Sequence, residues 1–224
     1  MKFTPNLSKR EWKSGLIALT LVMFLLPNLL ALIPGVSGAK LSFASYLISA
    51  VTAGWCLRRY LGKNLTAALD HPFFTIYFAI LGYLANLVLG QMVSYAAYWV
   101  LPNYVNFNNQ AIETMMSAEV TLMLITTVVL APIAEECFFR GLLFRGMYDR
   151  SPAAAWLLSV GLFALAHVVG FLGVYTPLEM LFSLLIYIPS GVVLCVTYHR
   201  SGNIISPIIT HAIINLMASL TTVR

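Results

Sequence analysis

Long apolar segments, separated by short polar breaks, run along nearly the whole chain. A transmembrane helix needs about 20 mostly apolar residues, and seven segments approach or exceed that length. They cover residues 16–33, 41–57, 73–101, 120–147, 153–171, 178–198 and 204–220. Turn-forming residues such as Pro34-Gly35 and Ser151-Pro152 separate them. The pattern predicts an all-α fold, a polytopic membrane helical bundle of about seven transmembrane helices.

The composition supports a membrane protein. Of the 224 residues, 60% are hydrophobic and 9% are charged, whereas soluble domains have about 45–50% apolar and about 25% charged residues. The net charge of +5 is explained by topology, so we expect the lipid bilayer and no nucleic acid as a partner. The first apolar segment is too long for the core of a signal peptide, and we interpret it as the first span.

The distribution of basic residues predicts the orientation. Cytoplasmic segments carry an excess of Lys and Arg. With the N-terminus in the cytoplasm and the C-terminus outside, the inner side receives eleven basic residues and the outer side only Lys40 and Arg224. The inner residues are Lys2, Lys9, Arg10, Lys13, Arg58, Arg59, Lys63, Arg140, Arg145, Arg150 and Arg200.

Smaller features give local expectations. The polar residues 102–119 predict an outer cap with a short helix from Ala111. Gly82, Asn86 and Gly90 recur every four residues, which is typical of a close helix contact with an amide hydrogen bond. Pro189 is expected to serve packing rather than to open a path for substrate.

The fourth segment contains three charged residues, Glu135, Glu136 and Arg140. Each charge near the centre of a membrane helix costs about 2.5–3.5 kcal/mol on insertion scales. Glu136 and Arg140 have the i,i+4 spacing of an ion pair, and a purely structural pair is the simplest interpretation of those two. One arginine cannot neutralise both carboxylates, so Glu135 is left for another role.

Two further segments carry histidines, His167 and His211, and the second also carries Asn215. With a rise of 1.5 Å per residue from the cytoplasmic ends, Glu135, His167 and Asn215 lie about 18–21 Å deep and His211 about 12 Å deep. We therefore expect these groups to meet in one layer.

The residue types fit hydrolysis in two ways. A carboxylate and an imidazole can activate a water, while a second imidazole and an amide stabilise the oxyanion. Alternatively, Glu135, His167 and His211 form the three-ligand set of a catalytic zinc site. Cys137 could be a nucleophile, although buried cysteines more often act as small hydrophobes. Spacing alone leaves the first two alternatives open.

Taken in order, the motifs are Glu135-Glu136-x-x-x-Arg140, Phe163-x-x-x-His167 and His211-x-x-x-Asn215. Together they resemble the CAAX protease and bacteriocin-processing family (CPBP, or Abi) of intramembrane glutamic endopeptidases. The resemblance covers residues 120–216. The sequence has no internal repeat and no low-complexity segment, so we expect a single transmembrane domain, 1–224. The resemblance marks a four-helix catalytic core in 119–220 and leaves accessory helices and an outer loop in 1–118.

The resemblance also implies roles. Glu135 and His167 would activate the water, His211 and Asn215 would hold the oxyanion, and Glu136, Arg140 and Phe163 would shape the site. We then expect no cofactor, with zinc as the alternative. The expected substrate is a peptide or membrane protein at a bacterial cell membrane.

Two other functions compete with this hypothesis. A non-catalytic bacteriocin-immunity or peptide-binding protein could use the same scaffold. A proton-coupled transporter could use the titratable groups as a relay, but the absence of internal repeats argues against it.

Overall fold

The computed structural model describes residues 7–222, and this part of the chain forms nine helices and no strand. The helices are α1 (Lys9–Leu30), α2 (Gly38–Cys56), α3 (Arg58–Asp70), α4 (Pro72–Val100), α5 (Phe107–Ala118), α6 (Val120–Tyr148), α7 (Pro152–Ala166), α8 (Pro177–Ser201) and α9 (Ile205–Thr222).

The predicted helical membrane bundle is confirmed. Four helices, α1, α4, α6 and α8, are long and apolar enough to cross a membrane. The apolar helices α7 and α9 are shorter, and α2 has 19 residues. Lys2 and Arg224, two of the basic residues counted for orientation, lie outside the described residues.

Hydrogen bonds between connecting segments indicate which of these segments lie on the same face of the bundle. On one face, Asn64 of α3 accepts a hydrogen bond from the amide of Ile204 between α8 and α9, at 2.9 Å. On the other face, Ser37, just before α2, hydrogen-bonds to Glu119, just before α6. This alternation is the one that seven spans require, while the cytoplasmic location of the first face stays a prediction.

The segment between the second and third predicted spans is a helix, α3, which the apolar pattern did not predict. The segment is too polar to be predicted as a span, but it forms an amphipathic helix. One face of that helix is buried and contains Tyr60, Asn64 and Ala68. Tyr60 hydrogen-bonds to Tyr198 of α8 at 2.8 Å. The helix therefore packs under the ends of the later spans.

Helix α6 runs through the centre of the protein and is the most buried of the four long apolar helices. It contains two wider, π-helical stretches, Ile125–Leu130 and Cys137–Arg145. Pro132 explains the first, because it has no N–H to donate to the carbonyl four residues earlier. The two glutamates lie in the α-helical turn between these stretches, Ala131–Glu136.

The close contact predicted for α4 involves two of its three residues. A Cβ at Gly82 would overlap the Thr197 side chain and lie 3.1 Å from Cγ2 of Thr210. Asn86 accepts a hydrogen bond from Ser190 at 2.7 Å. Gly90, in contrast, has open space where its Cβ would be, so this third residue takes no part in the close contact.

The outer loop contains helix α5, which begins at Phe107, four residues before the predicted start at Ala111. Asn106 caps it by accepting a hydrogen bond from the Asn109 amide at 3.1 Å. The cap residue explains the earlier start, because asparagine is among the preferred N-caps. This helix lies over the polar residues of the bundle.

Candidate active site

The Glu136 carboxylate joins three helices in the centre of the bundle. Glu136 is fully buried, and its Oε1 accepts hydrogen bonds from Nη1 of Arg140 at 2.9 Å and from Nδ1 of His211 at 2.8 Å. Arg140 is also fully buried and donates through Nη2 to the Gly191 carbonyl of α8 at 3.1 Å. The predicted i,i+4 pair is present and holds α6, α8 and α9 together.

Phe163 of α7 completes this arrangement. The Arg140 guanidinium lies 4.5 Å from the Phe163 ring centroid, a cation–π contact. The ring also contacts His167 and His211, at centroid distances of 4.6 and 5.9 Å. Phe163 thus packs against Arg140 and both histidines, while its shaping role stays a prediction.

Glu135 points to a different side of α6, because adjacent residues on a helix are about 100° apart. Its Oε2 lies 3.9 Å from Nε2 of His167 and 3.9 Å from Nε2 of His211. Three helices, α6, α7 and α9, therefore bring these side chains together. The expectation that they meet is fulfilled in the geometry, while their catalytic roles stay a prediction.

The hydrogen bonds at Nδ1 determine how the two rings are presented. Nδ1 of His167 lies 2.8 Å from the Phe163 carbonyl, and Nδ1 of His211 contacts Glu136. Both partners are acceptors, so each Nδ1 carries the proton. When neutral, both imidazoles present the lone pair of Nε2 towards Glu135.

The sequence predicted that His167 lies within a helix, but in the structure it comes directly after one. Helix α7 ends at Ala166 rather than at residue 171, and a 3₁₀ turn follows at Val169–Phe171. Gly173, with φ +87°, then turns the chain in a conformation that favours glycine. His167 therefore projects from a helix end into the site.

Two tyrosines that the sequence analysis did not identify also contact the site. Tyr46 of α2 donates to Oε1 of Glu135 at 2.7 Å. Tyr187 of α8 stacks on His167 at a centroid distance of 4.4 Å and accepts a hydrogen bond from Asn108 of α5 at 3.0 Å. Tyr46 could have been noticed from the sequence, because it lies among the serines of an otherwise apolar helix, α2. No feature of the sequence pointed to Tyr187.

Asn215 lies one turn beyond His211 on α9, but it does not contact Glu135. Its Nδ2 donates to the Thr127 carbonyl of α6 at 2.8 Å. An amide has two N–H groups, so one remains for another acceptor. Asn215 is therefore placed beside the site rather than within the group of close contacts.

Two cavities meet at Glu135. They share five lining residues, namely Ser42, Tyr46, Asn108, Glu135 and His167. One, here called the apolar cavity, measures about 360 Å³ and extends between α1 and α2, where Met23, Phe24, Pro27 and Leu41 line it. The other, the polar cavity, measures about 320 Å³ and extends beneath α5, where Asn109, Glu113, Thr127, His211 and Asn215 line it.

Oε2 of Glu135 is buried and has no hydrogen-bond partner among the described residues. An unpaired buried acceptor costs about 1–3 kcal/mol, and more when it is charged. Oε2 of Glu136 is also unpaired among the described residues, but Glu136 lines neither cavity, so the Glu135 oxygen is the one that a ligand in the cavities can reach. Here the oxygen faces both histidines at the point where the cavities join.

The fit of the donor set to a metal can be tested on geometry. Among residues 7–222, no group of three His, Cys, Asp or Glu side chains is arranged to hold a metal ion. Donor atoms that share one tetrahedral zinc at about 2.0–2.2 Å lie roughly 3.3–3.6 Å from each other, and each Nε2 lies somewhat farther than that, 3.9 Å, from Oε2 of Glu135. We therefore assign no reaction step to a metal. Cys137 belongs to the hydrophobic core and lines neither cavity.

Residues 117–217 match the family described as Type II CAAX prenyl endopeptidase Rce1-like. The chain is also similar to the UPF0177 protein YbdI of Lactococcus lactis subsp. lactis (strain IL1403). The two are 28% identical over 163 residues, which cover 68% of this chain and 77% of that protein. No solved structure gives a significant match. The resemblance indicated by the motifs is thus confirmed for the segment that contains all of them.

Proposed function

We propose that this chain, whose residues 117–217 belong to the Rce1-like family of type II CAAX prenyl endopeptidases, is an intramembrane endopeptidase that hydrolyses a peptide bond beside Glu135. The observation that carries the proposal is the convergence of one unpaired carboxylate oxygen and two imidazole Nε2 atoms at the junction of two cavities. A peptide that passes from one cavity to the other places its backbone against these groups.

In the proposed mechanism, Glu135 and His167 act on the water. A water bound to Oε2 of Glu135 and Nε2 of His167 loses a proton to the carboxylate as its oxygen attacks the carbonyl carbon of the peptide. Tyr46 keeps Oε1 occupied, so that Oε2 is the oxygen that accepts this proton. Glu135 then returns the proton to the nitrogen that leaves, and the peptide bond breaks.

His211 and Asn215 act on the oxyanion. The free N–H of Asn215 donates to the oxygen that becomes negative in the tetrahedral intermediate. For His211 to donate as well, its Nε2 must carry a proton in addition to the one on Nδ1. The Glu136 carboxylate, 2.8 Å from Nδ1, compensates the resulting positive charge.

The proposal needs no cofactor. Its partners are the lipid bilayer and a peptide or membrane-protein substrate, and we place the protein in the cell membrane of a bacterium, in line with the organism of its relative. Nucleic acid has no part in it.

The test is cleavage of a library of quenched fluorogenic peptides by the purified protein in nanodiscs. Glu135→Gln is expected to abolish cleavage, because an amide cannot accept the proton, and to leave thermal unfolding nearly unchanged. Asp70→Asn, an equivalent change on an exposed carboxylate outside the cavities, is expected to cleave at the wild-type rate.

Three results would contradict the proposal. Cleavage retained by Glu135→Gln would refute the role of that carboxylate. Cleavage lost on treatment with a chelator and restored by zinc would replace the proposed mechanism with a metal-dependent one. Binding of peptides without any cleavage by the wild-type protein would favour the non-catalytic alternative.

A further inference from the structure

The apolar cavity contains hydrophobic walls and no charged residue of its own. Beyond the five residues shared with the polar cavity, its lining consists of hydrophobic side chains and two serines, Ser45 and Ser49. The Ser49 hydroxyl donates to the carbonyl of Ser45 at 2.8 Å, so its one O–H donor is used within α2. This cavity therefore suits hydrophobic side chains.

The polar cavity has more polar side chains, although hydrophobic ones such as Ile112, Met115 and Met123 also line it. Glu113 of α5 lines it, is exposed and adds a second carboxylate to that of Glu135. Among the described residues that line either cavity, none is Lys or Arg. A positive charge placed there gains from both carboxylates, and a negative charge is repelled by them.

From this difference we infer that the substrate is a peptide segment with two unlike sides. Hydrophobic side chains on one side of the cleaved bond occupy the apolar cavity, and a basic side chain on the other side lies near Glu113 in the polar cavity. The inference rests on the proposed function, because the two cavities flank the cleaved bond only if Glu135 acts on it. Glu113 is then a residue that determines specificity and has no part in the chemistry.

Two features of the site support this assignment of sides. The cavities are separate except at the five shared residues, which include Glu135 and His167, so the change in polarity coincides with the proposed point of cleavage. Moreover, Glu113 lies on α5, the helix whose Asn108 is hydrogen-bonded to Tyr187. The carboxylate is thus attached to an element that is itself fixed to the site.

The test uses four quenched peptides and the full-length protein in nanodiscs. Two peptides carry a hydrophobic block and a Lys in the two possible orders around the cleaved bond, and two carry Glu in place of Lys. We expect cleavage of one order only, with kcat/KM for the Lys peptide at least about fivefold higher than for its Glu counterpart. Replacing the hydrophobic block by serines is expected to lower kcat/KM about tenfold or more.

The matched variants change charge on the same helix. Glu113→Gln is expected to lower the Lys-to-Glu ratio clearly, leaving the part that comes from Glu135, and Glu113→Lys to lower it further. Gln110→Lys adds the same unit of charge as Glu113→Gln, but Gln110 is exposed and lines neither cavity, so the ratio is expected to stay at the wild-type value.

The outcomes separate this inference from the proposed function. Glu135-dependent cleavage with no preference between Lys and Glu, or an equal shift of the ratio by Gln110→Lys and Glu113→Gln, overturns the inference alone. Absence of Glu135-dependent cleavage of all the peptides refutes the proposed function, and the inference with it.

Discussion

Substituting Arg140 by Met is expected to destabilise the protein strongly. Arg140 is fully buried, 2.9 Å from Oε1 of Glu136, hydrogen-bonded to the Gly191 carbonyl and stacked on Phe163. Methionine keeps most of the volume but leaves the Glu136 carboxylate with His211 as its only hydrogen-bond partner. Removing one member of a buried ion pair typically costs 3–5 kcal/mol, since the remaining charge is buried and uncompensated.

That cost translates into a large change in unfolding temperature. For chains of 150–250 residues, 1 kcal/mol corresponds to about 2–4 °C in Tm. The expected decrease is therefore about 6–20 °C, measured by thermal unfolding in nanodiscs. The control is Arg58→Met. The Arg58 guanidinium also donates to a backbone carbonyl and lies over an aromatic ring, that of Trp55, but the residue is exposed, so less than about 1 kcal/mol is expected.

A double-mutant cycle tests whether the effect comes from the ion pair. Glu136→Gln alone is also expected to destabilise, because it leaves Arg140 buried without its counter-charge. The double variant, Glu136→Gln with Arg140→Met, removes both charges and is expected to cost less than the sum of the single variants. Additive effects, or a Tm of Arg140→Met within 2 °C of that of Arg58→Met, would refute this reasoning.

Two further predictions concern neighbours of the site and the packing around it. Tyr46→Phe is expected to lower kcat by about one to two orders of magnitude with little change in KM, because a hydrogen bond to a charged group contributes about 1.5–3 kcal/mol. A rate equal to that of Tyr77→Phe, a change at an exposed tyrosine, would show that Tyr46 does not position Glu135. Gly82→Val is expected to lower Tm, since overpacking costs about 1–3 kcal/mol; Gly90→Val, where the Cβ meets open space, should not, and equal Tm values for the two variants would contradict the close contact at Gly82.

The features that could be predicted from the sequence are those carried by composition and by spacing within one helix. Apolar length was enough to locate the spans, because the bilayer requires it. The i,i+4 spacing of Glu136 and Arg140 was enough to predict their ion pair. Depth along each span placed Glu135 and His167 about 20 Å deep but His211 only about 12 Å deep, so it suggested that these groups could meet without showing that His211, rather than Asn215, would face Glu135.

The features that could not be predicted depend on contacts between distant segments. Tyr46 is 89 positions from Glu135, and nothing in the local sequence of α2 specifies that partner. Helix α3 has a polar composition, and even its buried face contains an asparagine. That residue, Asn64, accepts a hydrogen bond from the distant amide of Ile204. Helix α7 ends at Ala166 because a turn follows it. The residues of that turn are also apolar, so the sequence pattern does not show where the helix ends.

The hydrogen bonds of Tyr46 and Asn64 also limit what can be removed from the protein. Both residues precede the segment 117–217 that matches the family, yet one is hydrogen-bonded to an oxygen of Glu135 and the other to the amide of Ile204, just before α9. A truncated chain that began at residue 117 would leave both groups without these partners. The segment that matches the family therefore omits partners on which its own buried groups depend, and a separate fragment that supplies α2 and α3 would restore both hydrogen bonds.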